Sequence, residues 1–342
     1  MKAVRVHQSG GVESFVYEDA PDPQVGLNDV LVRVRACALN HLEAWAAKTP
    51  PGTTYAEPRI LGADVSGVVE AAGHALRDIE PGMEVLLQPG VSCGRCPACL
   101  AGEDNACGQY RLLGQGRPGG LAEYVAVPAQ NLVPKPVNLS FEEAAAIPLT
   151  LVTAWHMLVG RARLRPGETV LVNAAGSGVG TAAVQLARAL GARVIASAGS
   201  DEKLARARDL GAHETINYTT ADLAGEARRL SDGRGVDVVI EHVGGEVFEA
   251  SVRALAHNGR LVTCGATAGP NATLNVTRFF LAHQSILGSF MGTKSELLQA
   301  LPFVESGQVR PVVDTVLPLE RIRDAVQRLL DRAAFGKVVV TV

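Results

Sequence analysis

Aromatic residues are scarce in this 342-residue sequence, at 4%, and its charges nearly cancel, leaving a net charge of −3. So small a net charge excludes a strong electrostatic pull toward nucleic acid or a membrane surface. Long apolar runs are missing too: none approaches the roughly 18 residues that a spanning helix needs. No internal repeat or low-complexity segment occurs, so no repeat architecture is expected. Cysteine is sparse, with six residues, and a chain this large does not need disulfide staples. The opening Met1-Lys-Ala-Val-Arg-Val reads as a strand of alternating charge rather than a signal peptide, and the cytoplasm is the expected location. What is present is ordinary for a soluble globular chain, 47% hydrophobic and 20% charged, with length for about two domains. The 36 glycines favour tight turns and close helix–strand contacts over aromatic-rich surfaces.

Four of the six cysteines nevertheless fall within fifteen positions, as Cys93-Gly-Arg-Cys96-Pro-Ala-Cys99 and then Cys107. Four thiolates so spaced suit one tetrahedral Zn²⁺ in a closed, structural site. The surrounding Gly, Pro, Ala and Asn are loop residues, and a loop without its own core gains order from the metal. Two disulfides are the other reading of the cluster.

Residues 1 to about 130 hold short β-like runs, such as Val30-Leu-Val-Arg-Val-Arg-Ala and Ala122-Glu-Tyr-Val-Ala-Val, separated by turn residues. That is a barrel or sandwich signature, with the cysteine lobe inserted at about 90–110. From 131 to about 289 the pattern changes to alternating strands and helices. Strands are expected at Thr169-Val-Leu-Val, Arg193-Val-Ile-Ala-Ser, Glu214-Thr-Ile-Asn, Val236-Asp-Val-Val-Ile, Arg260-Leu-Val-Thr and Ser285-Ile-Leu-Gly. Helices are expected from the glycine-rich turn to Leu190, then at 201–210, 222–230 and 246–256. Such alternation gives an α/β, doubly wound parallel sheet. Residues 290–342, ending in a helix at Leu319 to Asp331 and a strand at Lys337-Val-Val-Val-Thr, are expected to return to the first domain.

Between the first of those strands and its helix lies Ala175-Gly176-Ser177-Gly178-Val179-Gly180. A glycine-rich turn in this context lets backbone N–H groups approach a pyrophosphate at a helix N-terminus. An NAD-specific sheet places Asp or Glu at the tip of the second strand, for the ribose 2′-hydroxyl. Here that position is Ala198, while Ser200 and Lys203 offer donors to a 2′-phosphate, so NADP(H) is expected over NAD(H).

These features, with Gly119-Gly-Leu-Ala-Glu-Tyr-Val after the lobe, resemble the medium-chain dehydrogenase/reductase superfamily over essentially the whole chain. The resemblance implies a GroES-like β-barrel catalytic domain, a Rossmann domain for a nicotinamide cofactor, and a structural zinc on Cys93, Cys96, Cys99 and Cys107. Zinc alcohol dehydrogenases of the superfamily hold a second, catalytic zinc on a Cys, a Gly-His-Glu and another Cys. Cys37 matches the first position, but the others read Gly62-Ala63-Asp64 and Leu149, and the proton-relay position is Leu39. One thiolate and one carboxylate do not make a three-ligand catalytic site; whether Cys37, His41, Glu43 or Asp64 binds a metal is left open.

The motifs Ala36-Cys-Ala-Leu-Asn40, Gly62-Ala-Asp64-Val-Ser-Gly67 and Pro148-Leu-Thr150-Leu-Val-Thr153-Ala-Trp155 are similar instead to the quinone oxidoreductase and enoyl reductase branch. That branch often lacks the cysteine lobe. The resemblance implies reduction of an activated C=C bond or a quinone by NADPH, without catalytic metal. It implies catalytic roles for Asn40 (holding a carbonyl oxygen or the ribose), Trp45 (shaping the pocket) and Asp64 (orienting loops). It implies cofactor contacts for Thr150, Thr153 and Tyr218, beside the turn residues Gly176, Ser177, Gly178, Val179 and Gly180, and beside Ser200 and Lys203. Val243, Gly265 and Ala266 end strands where ligands bind and complete the cofactor set. Each has a plainer reading: a turn Asn, a core Trp, a salt-bridged Asp, helix-capping Thr residues, a surface Tyr. Cys264 and His242 lack the partners of a nucleophile. Two other functions stay open, a zinc alcohol dehydrogenase with unusual ligands and a nicotinamide-binding protein with little turnover. The partners expected are a small-molecule substrate and a second copy of the chain, as a homodimer first and a tetramer second, because Ser285-Ile-Leu-Gly-Ser-Phe is an apolar edge strand.

Overall fold

Alternating apolar positions bury one face along most of Asp29–Ala38, and its Val30, Val32 and Val34 share one core with Val65 and Val69 of Asp64–Ala72. In the computed structural model, which describes residues 1–49 and 54–342, these strands belong to a seven-stranded sheet. Asp29–Ala38 pairs antiparallel with Asp64–Ala72, with Tyr124–Pro128 and with the C-terminal strand Lys337–Thr341. Two three-stranded sheets complete this unit, which comprises Met1–Leu149, Thr293–Leu297 and Pro311–Val342. Residues 131–149 pack here: Leu132–Pro134 pairs with Glu84–Leu87, and Ala145 and Ala146 pack on Ala36 and Ala38.

The second unit comprises Thr150–Gly292 and Leu298–Arg310. Its sheet is parallel throughout, in the order Glu214–Asn217, Arg193–Ala198, Thr169–Val172, Val236–Glu241, Leu255–Thr263, Ser285–Gly288. The Thr169–Val172 strand is buried at every residue, as a strand covered by helices on both faces must be. The strand order reverses beside Thr169–Val172, and ligands of open α/β sheets bind at that crevice. The GroES-like and Rossmann architecture expected from the sequence is the architecture observed.

Local boundaries differ in two places. The helix expected at 246–256 is Gly245–Ala254, because Leu255 and Ala256 are already buried in the long strand Leu255–Thr263. The C-terminal helix opens with a 3-10 turn, Leu319–Arg321, before Ile322–Leu330, since Pro318 restricts the entry. Among the described residues, no helix is long and apolar enough to cross a membrane.

Candidate active site, cofactor turn and metal centre

The sulphurs of Cys93, Cys96, Cys99 and Cys107 lie within 4.8 Å of one another, with Cys96–Cys99 at 3.5 Å and Cys93–Cys99 at 3.9 Å. A tetrahedral zinc with bonds of about 2.3 Å sets its sulphurs ~3.8 Å apart, so the donor set fits the ion. All six cysteines are free, which removes the disulfide reading. The backbone N–H groups of Arg95 and Cys96 lower the Cys93 thiol to about 6. Cys96 rises to about 11: the Cys99 backbone pulls it down, but the Cys99 sulphur and burial outweigh that pull. Four crowded sulphurs cannot all ionise without a cation among them, and a thiolate such as Cys93 is the form that binds one.

A second cluster forms where Asp29–Ala38 ends. Asn40 caps the helix His41–Lys48, and its backbone N–H donates to Glu43 Oε2 at 2.6 Å. Glu43 Oε1 accepts from Gly62 N at 3.2 Å, tying the two loops together. Burial raises the pKa of the Glu43 carboxyl. Asp64 is fully buried and accepts from Leu149 N at 2.7 Å and from Asn40 Nδ2 at 3.0 Å. Lys337 donates to Asp64 Oδ2 at 2.8 Å and to Asn40 Oδ1 at 2.6 Å, and is itself buried. Gly62 has φ +98°, and a Cβ there would lie 2.7 Å from Cys37 Sγ. The positions Cys37, Ala63 and Leu149 thus converge around the Asp64 carboxylate, with a lysine ammonium on it. Burial first, then the charges of Glu43 and Asp64, push the Cys37 thiol well above its ordinary value. Ala63 and Leu149 offer no ligand atom, and the aspartate is neutralised by lysine, so these positions do not fit a three-ligand catalytic zinc.

The cluster revises several expectations. The Asn40 amide is committed to Asp64, Ala38 and Lys337, so it has no N–H left for a substrate carbonyl. Trp45 is 47% exposed, which overturns its core reading. Thr150 and Thr153 lie inside the helix Pro148–Trp155 and do not cap it. Both are buried, and Thr153 Oγ1 has no hydrogen-bond partner among the described residues.

In the second unit the turn Gly176–Gly180 follows the Thr169–Val172 strand. Ser177 caps the helix Gly178–Ala189, and its Oγ accepts from Gly180 N at 2.9 Å. The same hydroxyl pairs with His242 Nε2 at 2.9 Å, joining the ends of two strands. Any Cβ on Gly180 would sit 2.4 Å from Ala174 O, so only glycine lets this helix approach its strand. The arrangement leaves the helix N-terminus, with Gly178 and Val179, able to receive a pyrophosphate.

At the neighbouring strand tip, Ala198 is buried and offers no carboxylate. Ser200 caps the helix Asp201–Asp209, accepting from Lys203 N at 3.4 Å. Tyr218 N donates to Ala198 O at 3.3 Å, and a Cβ on Gly199 would meet Tyr218 Oη at 3.3 Å. Ser200, Lys203 and Tyr218 therefore gather at one tip.

At the carboxyl ends of the next strands lies a cavity of about 610 Å³, lined by Gly244, Phe248, Cys264, Gly265, Ala266 and Phe290. Gly265 and Ala266 follow the strand Leu255–Thr263 and line this cavity. Val243 does not offer its N–H, which goes to Glu241 Oε1 at 2.7 Å. Burial, with Glu241 nearby, raises the Cys264 thiol to about 12, so it is no nucleophile. Sequence reasoning missed Lys337, the Glu43 bridge and the Ser177–His242 pair. Only Lys337 left a signal: one charged residue inside the apolar run Phe335-Gly-Lys-Val-Val-Val, where a buried charge needs a partner.

Two family models match the chain, the alcohol dehydrogenase GroES-like domain over residues 26–137 and the zinc-binding dehydrogenase over residues 178–306. A zinc-type alcohol dehydrogenase-like protein of Schizosaccharomyces pombe is 33% identical, over 97% of this chain and 96% of its own. The quinone oxidoreductase-like protein 2 of Bos taurus is 31% identical, over 96% of this chain and 89% of its own. A crystal structure described as an NAD-dependent alcohol dehydrogenase is 50% identical with a TM-score of 0.94, covering 100% of both chains.

Proposed function

The chain belongs to the medium-chain dehydrogenase/reductase superfamily, and from that premise we propose that it is an NADP(H)-dependent reductase of activated C=C bonds or quinones that uses no catalytic metal. The observation that carries this reading is the Lys337 ammonium on Asp64 Oδ2, at 2.8 Å, among Cys37, Ala63 and Leu149. A lysine there neutralises the carboxylate of the Gly62-Ala63-Asp64 segment, while the Glu43 carboxylate is held by the Asn40 and Gly62 N–H groups.

When bound, the nicotinamide supplies a hydride. The protein's part is to hold the reactants and to meet the negative charge that grows on the substrate oxygen. Asn40 and Asp64 act as positioning residues: with Lys337 they fix the loop that leads into the Trp45 helix. Trp45, being exposed, shapes the substrate side of that loop. Gly176 to Gly180 cradle the pyrophosphate, and Thr150 and the unpartnered Thr153 hydroxyl offer further contacts. The Gly265 and Ala266 backbone binds beside the cavity they line. Ser200, Lys203 and Tyr218 receive the 2′-phosphate.

The test uses an enone with NADPH deuterated at C4, before and after a chelator strips labile metal. Deuterium is expected at the product's β-carbon, with the rate unchanged by the chelator. Deuterium at the carbonyl carbon, or activity lost on chelation, would establish metal-dependent carbonyl chemistry instead. The second reading, alcohol oxidation with NAD, draws on the name of the 50% identical structure; a preference for NADH in the same assay would favour it. We also infer a homodimer through the strand Ser285–Gly288, which ends its sheet beside exposed Phe280 and Phe290. Light scattering that finds a monomer at micromolar concentration would refute this.

A further inference from the structure

The second unit holds another cavity of about 610 Å³, at the opposite ends of its strands from the glycine-rich turn. Its floor is formed where Leu255–Thr263 begins and where Gln284 leads into Ser285–Gly288. Arg228, Arg234, Arg278 and His257 line it, and no carboxylate does.

Two of these arginines converge on a single acceptor. Arg228 Nε and Nη2 donate to Arg253 O at 3.1 and 2.9 Å, and Arg278 Nη2 donates to the same oxygen at 2.7 Å. One carbonyl therefore draws two guanidinium cations together. Like charges this close repel each other unless an anion sits between them. Arg234 is balanced by Asp237, at 2.9 Å through Nη2. Neither Arg228 nor Arg278 has an ion pair among the described residues, and Arg228 Nη1 and Arg278 Nε make no hydrogen bond there. Partial burial, then the charges of Arg228 and Arg253, lower Arg278 from its ordinary value, although the residue reaches solvent.

An independent observation comes from Gln284. The residue is 6% exposed, and its Nε2 donates to Leu255 O at 3.2 Å, the same oxygen that receives Arg228 Nη2. Its Oε1 is buried and has no partner among the described residues. A buried acceptor of this kind costs free energy until a donor reaches it. The cavity is thus lined by two unneutralised guanidiniums and by Gln284, whose unsatisfied carbonyl oxygen is shielded from solvent.

We propose that this cavity is a second ligand site, separate from the cofactor turn, for a small phosphorylated molecule that also carries a hydroxyl. The phosphate bridges Arg228 and Arg278, whose planar forks match its oxygens. The hydroxyl donates to Gln284 Oε1 once the amide turns to bring this buried oxygen to the cavity. Binding here relieves the repulsion and satisfies the orphaned acceptor together.

The test titrates the full chain with glycerol 3-phosphate, inorganic pyrophosphate and citrate by calorimetry. Glycerol 3-phosphate is expected to bind, and R228Q/R278Q to weaken it by about tenfold or more. Gly178→Asp, which places a carboxylate in the glycine-rich turn, is expected to leave that binding within about twofold. Should the double variant fail to fold, Arg278→Lys and Arg278→Gln carry the comparison, the lysine retaining affinity that glutamine loses. Gln284→Leu should weaken glycerol 3-phosphate more than pyrophosphate, which brings no hydroxyl. Equal binding by wild type and R228Q/R278Q, or loss on Gly178→Asp, would overturn the site. Citrate binding as well as the phosphates would overturn the ligand class. No binding, with R228Q/R278Q dissociating an oligomer, would assign the cavity to an interface between copies instead.

Discussion

The cysteine lobe and the Asn40–Asp64–Lys337 cluster lie in the same unit, and they handle metal-capable side chains in opposite ways. In the lobe, four sulphurs gather on a segment whose helices are only the short turns Pro97–Leu100 and Asp104–Ala106. Little else there supplies a core, so a metal held by the four sulphurs would be the organising element. In the cluster, the fold is already held by paired strands, and the charges answer each other as carboxylate and ammonium. A cation is needed in both places. The lobe's sulphurs are arranged to take it from solution, and the cluster takes it from the chain itself, through Lys337.

Breaking the second place should have the larger effect. Lys337→Ala leaves a buried Asp64 carboxylate with no counter-charge, and denaturant unfolding is expected to show a loss of about 3–5 kcal/mol. Replacing both partners, as Asp64→Leu with Lys337→Met, should recover most of that loss, because an apolar pair removes both desolvation penalties. A single-variant loss below about 1 kcal/mol would mean that the pair is not buried as described.

Breaking the first place should alter metal content more than global stability. Cys96→Ser is expected to release the zinc, read as metal per chain, and to lower stability by about 1–3 kcal/mol. Wild-type protein should hold one tightly bound zinc. Two tight zinc ions per chain would erase the contrast, since the cluster would then be a metal site after all.

The smallest effect sharpens the comparison by avoiding both places. Lys203→Ala lies at the Ala198 strand tip, and should leave zinc content and stability nearly unaltered. The variant should erode a preference for NADPH over NADH by about tenfold, or ~1.4 kcal/mol. Kinetics with both cofactors measure it, and an undiminished preference would remove Lys203 from the 2′-phosphate site.

The comparison also marks how far sequence reading reached. The lobe was legible because its ligands are close in the chain, and thiolates at that spacing have few other uses. The Rossmann strands were legible because buried parallel strands read as apolar runs and helices show one apolar face. Asn40 and Asp64 could be singled out, but not their state, since the partner that occupies them lies 297 and 273 positions away. The exposure of Trp45 and the occupied N–H of Val243 were equally hidden, because each depends on which neighbours the fold brings near.

The sequence by itself determined the two-part architecture, the four-thiolate lobe, and the glycine-rich turn at a helix start. All three follow from short-range rules of spacing, periodicity and backbone freedom. Only the tertiary structure decided that Lys337 neutralises Asp64, that Ser177 meets His242, and that Arg228 and Arg278 share one carbonyl. Those facts are long-range, and a charge, a hydroxyl or a guanidinium takes its meaning from the partner set against it.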